Sequence, residues 1–349
     1  MRASILTSLI SLALLFPSFV FGTCAELSSL FPGRVLLPGN STYAASVSSY
    51  FFLNERQAPA CIVTPTSANE VAEIVKSINS HLRGLNHMET YGKDNGILSV
   101  GTGALWIDVY KFLSPLKRVA VGSRVASVGI GGFVTGGGIS FFSPQHGFAC
   151  DNVRNMQVVL ANGTIINANA TSHSLLFRAL KGGQNNFGIV TRFDLVTHPQ
   201  HKYWGGAIQY PESADATQLS AFTAFKEGPY DPFSEIEQTF VYVGLQKVFS
   251  STNNLFYTKD GVNTSNLRQF TDIQPQIVNT ARISESSDFA AELEAFQPMN
   301  QFATYSTISF PISGGVLSKV HSLWRIYPST ASHECPAKFA AICTEFQPT

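Results

Sequence analysis

Charge is scarce in this sequence of 349 residues. Asp, Glu, Lys and Arg make up 13% of it, against about 25% in an average globular domain. The 23 basic side chains balance the 23 acidic ones, so nothing marks the chain for nucleic acid or for an anionic membrane surface. There is no internal repeat and no low-complexity tract. The common phosphate-binding signatures are also missing. No G-x-G-x-x-G follows a strand and no G-x-x-x-x-G-K-[ST] occurs, which removes a Rossmann dinucleotide site and a P-loop. No metal-ligand spacing is present, and no local nucleophile signature surrounds Ser143, Cys150 or the histidines.

The first 22 residues are an expected signal peptide. Arg2 supplies the basic start, Ile5 to Phe16 the apolar run, and Val20-Phe21-Gly22 the small-residue site, with cleavage after Gly22. Pro17 breaks the run and no basic stop follows, which favours secretion over a membrane anchor. Secretion makes the five cysteines candidates for disulfides. Cys335 and Cys343 are close enough in sequence to pair locally, and Cys150, between apolar neighbours, is expected as a buried thiol. Four N-x-[ST] sequons, at Asn40, Asn162, Asn169 and Asn263, are expected glycosylation sites, Asn162 lying in a tight turn.

What the chain does have is glycine, in one place. Six of the ten residues from Gly129 to Gly138 are glycine, interleaved with Val, Ile and Phe and free of charge. This composition suits a buried backbone surface from which side chains have been removed. Glycine permits positive φ and lets a ligand approach main-chain N–H groups, and such arrays hold anionic oxygens, pyrophosphate above all. A glycine-rich core turn where two backbones touch is the alternative.

Around this segment, Cys61-Ile62-Val63 reads as a short strand and Ser67/Glu70 as a capping box before a helix carrying Val71, Ile74, Val75 and Ile78. Ile97 to Val100 reads as a strand and Trp106 to Phe112 as a helix. Met156 to Leu160 and Thr164 to Ala168 flank an Asn162-Gly163 type I′ hairpin signal. Leu175 to Leu180 is helical, and Ile189 to Val196 is a strand closing the first domain near Pro199. After His201 aromatics increase and glycine clusters vanish. Strand-like runs (Thr239 to Leu245, Ser306 to Pro311) separate a helix-like one (Phe289 to Phe296), as in an antiparallel sheet. Without a long βαβ rhythm the class is α+β.

Four ordered blocks carry a resemblance: PACIVTPTSANEVAEIV (Pro59 to Val75), ILSVGTGALWIDVY (Ile97 to Tyr110), the glycine segment, and KGGQNNFGIVTRFDL (Lys181 to Leu195). Together they resemble the oxygen-dependent, berberine bridge enzyme-like FAD-linked oxidoreductases, especially secreted fungal members, from about Leu27 to Phe310. The resemblance implies a two-domain PCMH-type fold. Residues 23–56 would be an arm, 57–200 the FAD-binding domain and 201–349 a substrate domain. It implies oxidation of a small organic substrate, such as an alcohol, sugar or secondary-metabolite intermediate, with O₂ as acceptor. Ser127, Gly129, Gly131 and Gly132 would line the FAD diphosphate and ring, with Gly136, Gly137 and Gly138 letting backbone pack beneath. Asn186, Phe187, Gly188, Ile189 and Val190 would reach the adenine side. Asp151 and Asn152 would close the turn after His146-Gly147, or be an ordinary turn pair. A Cys24–Cys61 bridge would staple the arm, as in similar proteins.

Two departures accompany the resemblance. The glycine-rich loop whose His commonly bonds the flavin is missing near Ser80/His81, leaving His81 and His87 without glycine context. Val125 stands where some relatives place a cysteinyl link, so bound FAD is expected to be non-covalent. Relatives also continue past Thr349 with a segment carrying catalytic residues, so the fold is expected to be incomplete and the general base unassigned. His146 is a candidate for it. Three readings stay open: an FAD-dependent oxidoreductase, a flavin-free binding or vestigial relative, and the product of a mis-assembled gene model.

Overall fold

The computed structural model describes residues 24–49, 56, 58–77, 85–243, 246–259, 261–262, 265–296, 309–311, 313–330 and 339–345. Residues 1–22, the Ser80/His81 junction, Asn263 and Cys335 lie outside these, and with them the signal peptide, the junction, one sequon and the Cys335–Cys343 pairing. The arm carries α1 (Cys24–Leu30), β1 (Val35–Leu36), α2 (Ser41–Ser48) and β2 (Ile62–Val63). β1 and β2 pair antiparallel, and the Cys24–Cys61 disulfide is formed beside them. Leu27, Phe31, Val63 and Ile74 bury a small core there.

α3 (Ala68–Ser77) starts half as expected. Ser67 Oγ accepts the Glu70 N–H at 3.2 Å. The Glu70 carboxylate closes on the N–H of Thr66, at 2.6 Å, rather than on that of Ser67. The box is displaced by one residue because Thr66 also offers its hydroxyl to the same carboxylate.

The first large sheet contains β3 (Met88–Tyr91), β4 (Ile97–Gly101), β5 (Arg118–Ala120), β6 (Val153–Val159), β7 (Ile165–Asn169) and β8 (Ile189–Pro199). Its order is β3-β4-β8-β6-β7 with β5 on the far end of β8, all pairs antiparallel. Helices α4 (Trp106–Leu113), α5 (Ile130–Thr135), α6 (Ser143–His146) and α7 (Ser174–Leu180) fill the connections. The β6–β7 turn is not type I′. Gly163 has φ +77° while Asn162 keeps a negative φ, and the Gly163 N–H donates to Leu160 O at 2.8 Å. This is a three-residue loop in which a type I turn is followed by a left-handed glycine. Asn162 is exposed there, as is Asn40. Asn169 is half-buried, with its amide donating to Asn155 at 3.2 Å.

The second large sheet contains β9 (Tyr203–Pro211), β10 (Ser234–Val243), β11 (Val248–Tyr257), β12 (Val278–Asn279), β13 (Arg282–Ser284) and β14 (Phe339–Glu345). It runs β12-β9-β11-β10-β14, with β13 also on β9. Helices α8 (Asp215–Glu227), α9 (Ser265–Thr271), α10 (Ser286–Ala295) and α11 (Gly314–Thr330) complete an α+β fold. The expected strand at Ser306 to Pro311 is described only over 309–311, which is irregular. No described helix is long and apolar enough to cross a membrane.

The two sheets share a core. Phe141 packs edge-on against Phe256 at 4.6 Å, Phe142 against Tyr203 at 5.6 Å, and Phe256 against Phe289 at 5.3 Å. All five rings are buried, and each such pair contributes roughly 0.5–1.5 kcal/mol beyond its buried area.

Candidate active site

The glycine segment folds into α5 with its apolar and glycine residues on opposite sides. Ile130, Val134 and Thr135 are buried, while Ser127, Gly129, Gly132 and Gly136 are exposed. The expected buried backbone surface is therefore an open one. A Cβ added at Gly129, Gly132 or Gly137 would meet nothing within 4 Å, so packing does not exclude side chains there. A Cβ added at Gly131 would lie 3.4 Å from Thr102. At Gly138 the core-turn alternative holds: φ is +82° and a Cβ would lie 2.5 Å from the Phe133 ring.

Three of the four sequence blocks meet at this face. Ile130 N–H donates to Ala104 O and Trp106 N–H to Val128 O, each at 3.1 Å. At the other end of α5, Thr135 O accepts the N–H groups of Gly182 (2.8 Å) and Gln184 (3.2 Å). Thr102 Oγ1 donates to Val190 O at 3.0 Å. Helix geometry leaves the first-turn amides of Gly131 and Gly132 without an intrahelical acceptor. In the last block, Asn186 and Phe187 are exposed, with the Asn186 amide donating to Gly183 O at 2.8 Å. Gly188 has φ +139° and backs tightly onto β6, where a Cβ would lie 2.9 Å from Val159 O. Ile189 and Val190 open β8, and Val190 is buried.

Beside the glycine face lies a cleft of about 440 Å³, lined by Ser123, Arg124, Val125, Phe133, Gly136, Gly138, Ile139 and Phe148. Arg124 is its cation, and the second sheet holds it. Nη1 of Arg124 lies 2.8 Å from Glu235 Oε1 and 3.6 Å from Glu237 Oε2. These glutamates are two apart on β10, and Glu235 is only 3% exposed. His146 does not line this cleft. Its ring stacks on His198 of β8, whose Nε2 pairs with Asn152 Oδ1 at 3.1 Å. Asp151 and Asn152 are the turn pair: Asp151 accepts the Phe148 N–H, and the Asn152 amide donates to the carbonyls of His146 and Phe148. His87 is exposed.

Residues 81–169 match the FAD binding domain family. The FAD-dependent monooxygenase CTB5 of Cercospora nicotianae is 32% identical, over 76% of this chain and 67% of its own length. The chain belongs to the berberine bridge enzyme-like FAD-linked oxidoreductases. The FAD-dependent monooxygenase tpcD of Cochliobolus heterostrophus is also 32% identical, over 85% of this chain and 66% of its own. Physcomitrella patens BBE-like 1 shares the fold at TM-score 0.63 and 22% identity, covering 80% of this chain and 68% of that one. Against such curated relatives the chain spans between 55% and 67% of their length.

FAD is the cofactor of this family, and the glycine face fits it. Open space stands over Gly129 and Gly132, where main-chain amides can meet anionic oxygens, and over Gly137, whose amide is bonded to Val134 O. Phe133, Ile139 and Phe148 give the adjoining cleft apolar walls. Four features escaped the sequence: Thr102, Thr135 and Gln184 as the ties between blocks, and the Arg124–Glu235–Glu237 cluster. Alternation in Ser234-Glu235-Ile236-Glu237 marks a strand, but not that both its faces are covered.

Proposed function

We propose that the chain is a secreted FAD-linked oxidoreductase acting on a small organic substrate, such as an alcohol, sugar or secondary-metabolite intermediate, with O₂ as acceptor. The observation supporting it is the uncovered glycine face, tied by Thr102 and Thr135 to the blocks at Gly101 and Gly182. When bound, FAD supplies the hydride acceptor and the route of electrons to O₂. The amides of Gly131 and Gly132 would hold its anionic oxygens, and Gly129, Gly132 and Gly137, where a Cβ would meet nothing within 4 Å, would admit it close to the backbone. Phe133 and Phe148 exclude water from the adjoining cleft, and Arg124, fixed by Glu235 and Glu237, orients a polar group of the substrate at its rim. With Val125 in the cleft and His87 exposed, attachment is non-covalent.

Purified protein should carry flavin absorbance that acid precipitation moves wholly into the supernatant. A colourless protein that also fails to take up added FAD would favour the flavin-free reading. The names of the curated relatives favour a second activity, monooxygenation. Product analysis under isotope-labelled O₂ separates the two, since an oxidase releases the label as hydrogen peroxide and a monooxygenase retains it in the product.

A further inference from the structure

A second cleft, of about 480 Å³, opens on the far side of Tyr110 from the glycine face. Tyr110 belongs to its floor, and the phenol donates to the carbonyl of Ser123, a residue of the glycine-side cleft, at 2.8 Å. Lys117, Arg118 and Lys202 converge on the second cleft from the start of β5 and the β8–β9 connection. Its facing carboxylate, Glu285, accepts the Ser114 hydroxyl at 2.6 Å.

Arg118 differs from the arginines that form ion pairs, as does Arg34, which donates to the Thr66 hydroxyl. Arg124, Arg192, Arg282 and Arg325 each face a carboxylate. Arg118 is instead clamped by neutral groups, Nε donating to Thr197 Oγ1 and Nη2 to Thr197 O, both at 2.6 Å. Thr197 is only 3% exposed, so the guanidinium is held in one orientation while its charge stays uncompensated. Among the described residues neither Lys117 nor Lys202 lies within ion-pair distance of a carboxylate. In a chain this poor in charge, three such cations around one cavity form a local excess of positive potential. The first turn of α10 adds to it. Ser286 and Ser287 border the cleft, and the helix supplies their amides no acceptor.

We infer that this cleft binds a small dianion, a phosphate ester or a dicarboxylate, with the fixed Arg118 fork as anchor and Lys117 and Lys202 as flanking charges. A planar guanidinium with one edge free matches either oxyanion by paired N–H bonds, and ammonium groups add charge without geometry. The Glu285 carboxylate, which already accepts the Ser114 hydroxyl, can accept a hydroxyl of the ligand as well. This site needs no flavin, so it stands or falls separately from the proposed activity.

Isothermal titration of the full chain with inorganic phosphate and with succinate, at ionic strength held constant with sodium chloride, tests it. At least one should bind saturably at one per chain, and whichever is tighter names the ligand class. The double variant Lys117→Ala/Lys202→Ala removes two exposed side chains and should weaken binding at least tenfold with unchanged thermal unfolding. Arg118→Lys, which keeps the charge and loses the fork, should weaken it as well. Heats no larger than those of chloride, or a double variant that binds as tightly as the parent, would overturn the inference.

Discussion

The imidazole of His146 lies flat on that of His198, ring centroids 3.6 Å apart and planes 7° from parallel. The pair joins the exit of the glycine segment to β8. Burial lowers the pKa of His146. Burial, then the charges of His146 and Arg118, push His198 down to about 4. In the unfolded chain both would protonate near the ordinary value of about 6.5. Between these values the unfolded state binds more protons. The pair's contribution to stability is therefore complete above about pH 6.5 and is lost as pH falls toward about 4. The thermal midpoint should drop across that window, and His198→Gln should flatten the drop. Parallel profiles for the two proteins would show that the pair is not responsible.

Gly132 and Gly138, six positions apart, should respond in opposite ways. Gly132 sits in α5 with open space beyond it, so Gly132→Ala should stabilise the flavin-free protein by up to about 1 kcal/mol. The same methyl occupies the ligand's space, so affinity for FAD should fall. Gly138→Ala places a methyl against Phe133 at φ +82°, and should destabilise the protein by about 2 kcal/mol or more. Thermal melts with and without FAD separate the two effects.

Arg124→Ala removes the nearest cation from Glu235, a carboxylate that stays buried. Losing one partner of a buried ion pair costs about 3–5 kcal/mol. Denaturant unfolding should register this loss. A change below about 1 kcal/mol would show that the Arg124–Glu235 pair does not carry this stability.

Cys24 and Cys61 close a loop with a sequence separation of 37, for which chain entropy gives roughly 4 kcal/mol. Replacing both by Ser should release the arm first. Limited proteolysis should then cut between α2 and β2 while the large sheets persist, and thiol labelling of the denatured, unreduced parent should find the buried Cys150 and not Cys24.

Elements with a local signature were legible. The Val71/Ile74 spacing gave α3, the Trp106 block gave α4, and the glycine run marked the face on which the site is built. The type I′ expectation at Asn162 failed because the loop has three residues, and Asn162 need not take positive φ when Gly163 can. The glycine face was expected to be buried because composition records that side chains are absent, not what stands in their place. The Arg124–Glu235 pair spans 111 positions, and His146–His198 spans two elements. Contacts of that range depend on sheet order, which no local pattern encodes.

The five buried rings between the sheets bear on how this molecule can move. Edge-on aromatics at 4.6 to 5.6 Å leave no lubricated plane along which one sheet could slide over the other. Cutting the chain near residue 200 would leave Phe141 and Phe142 on one fragment and Tyr203, Phe256 and Phe289 on the other, each facing water. Neither fragment should be soluble alone, and calorimetry of the whole chain should show a single endotherm. Access to the cleft must then come from its rim, with the scaffold behind it behaving as one block.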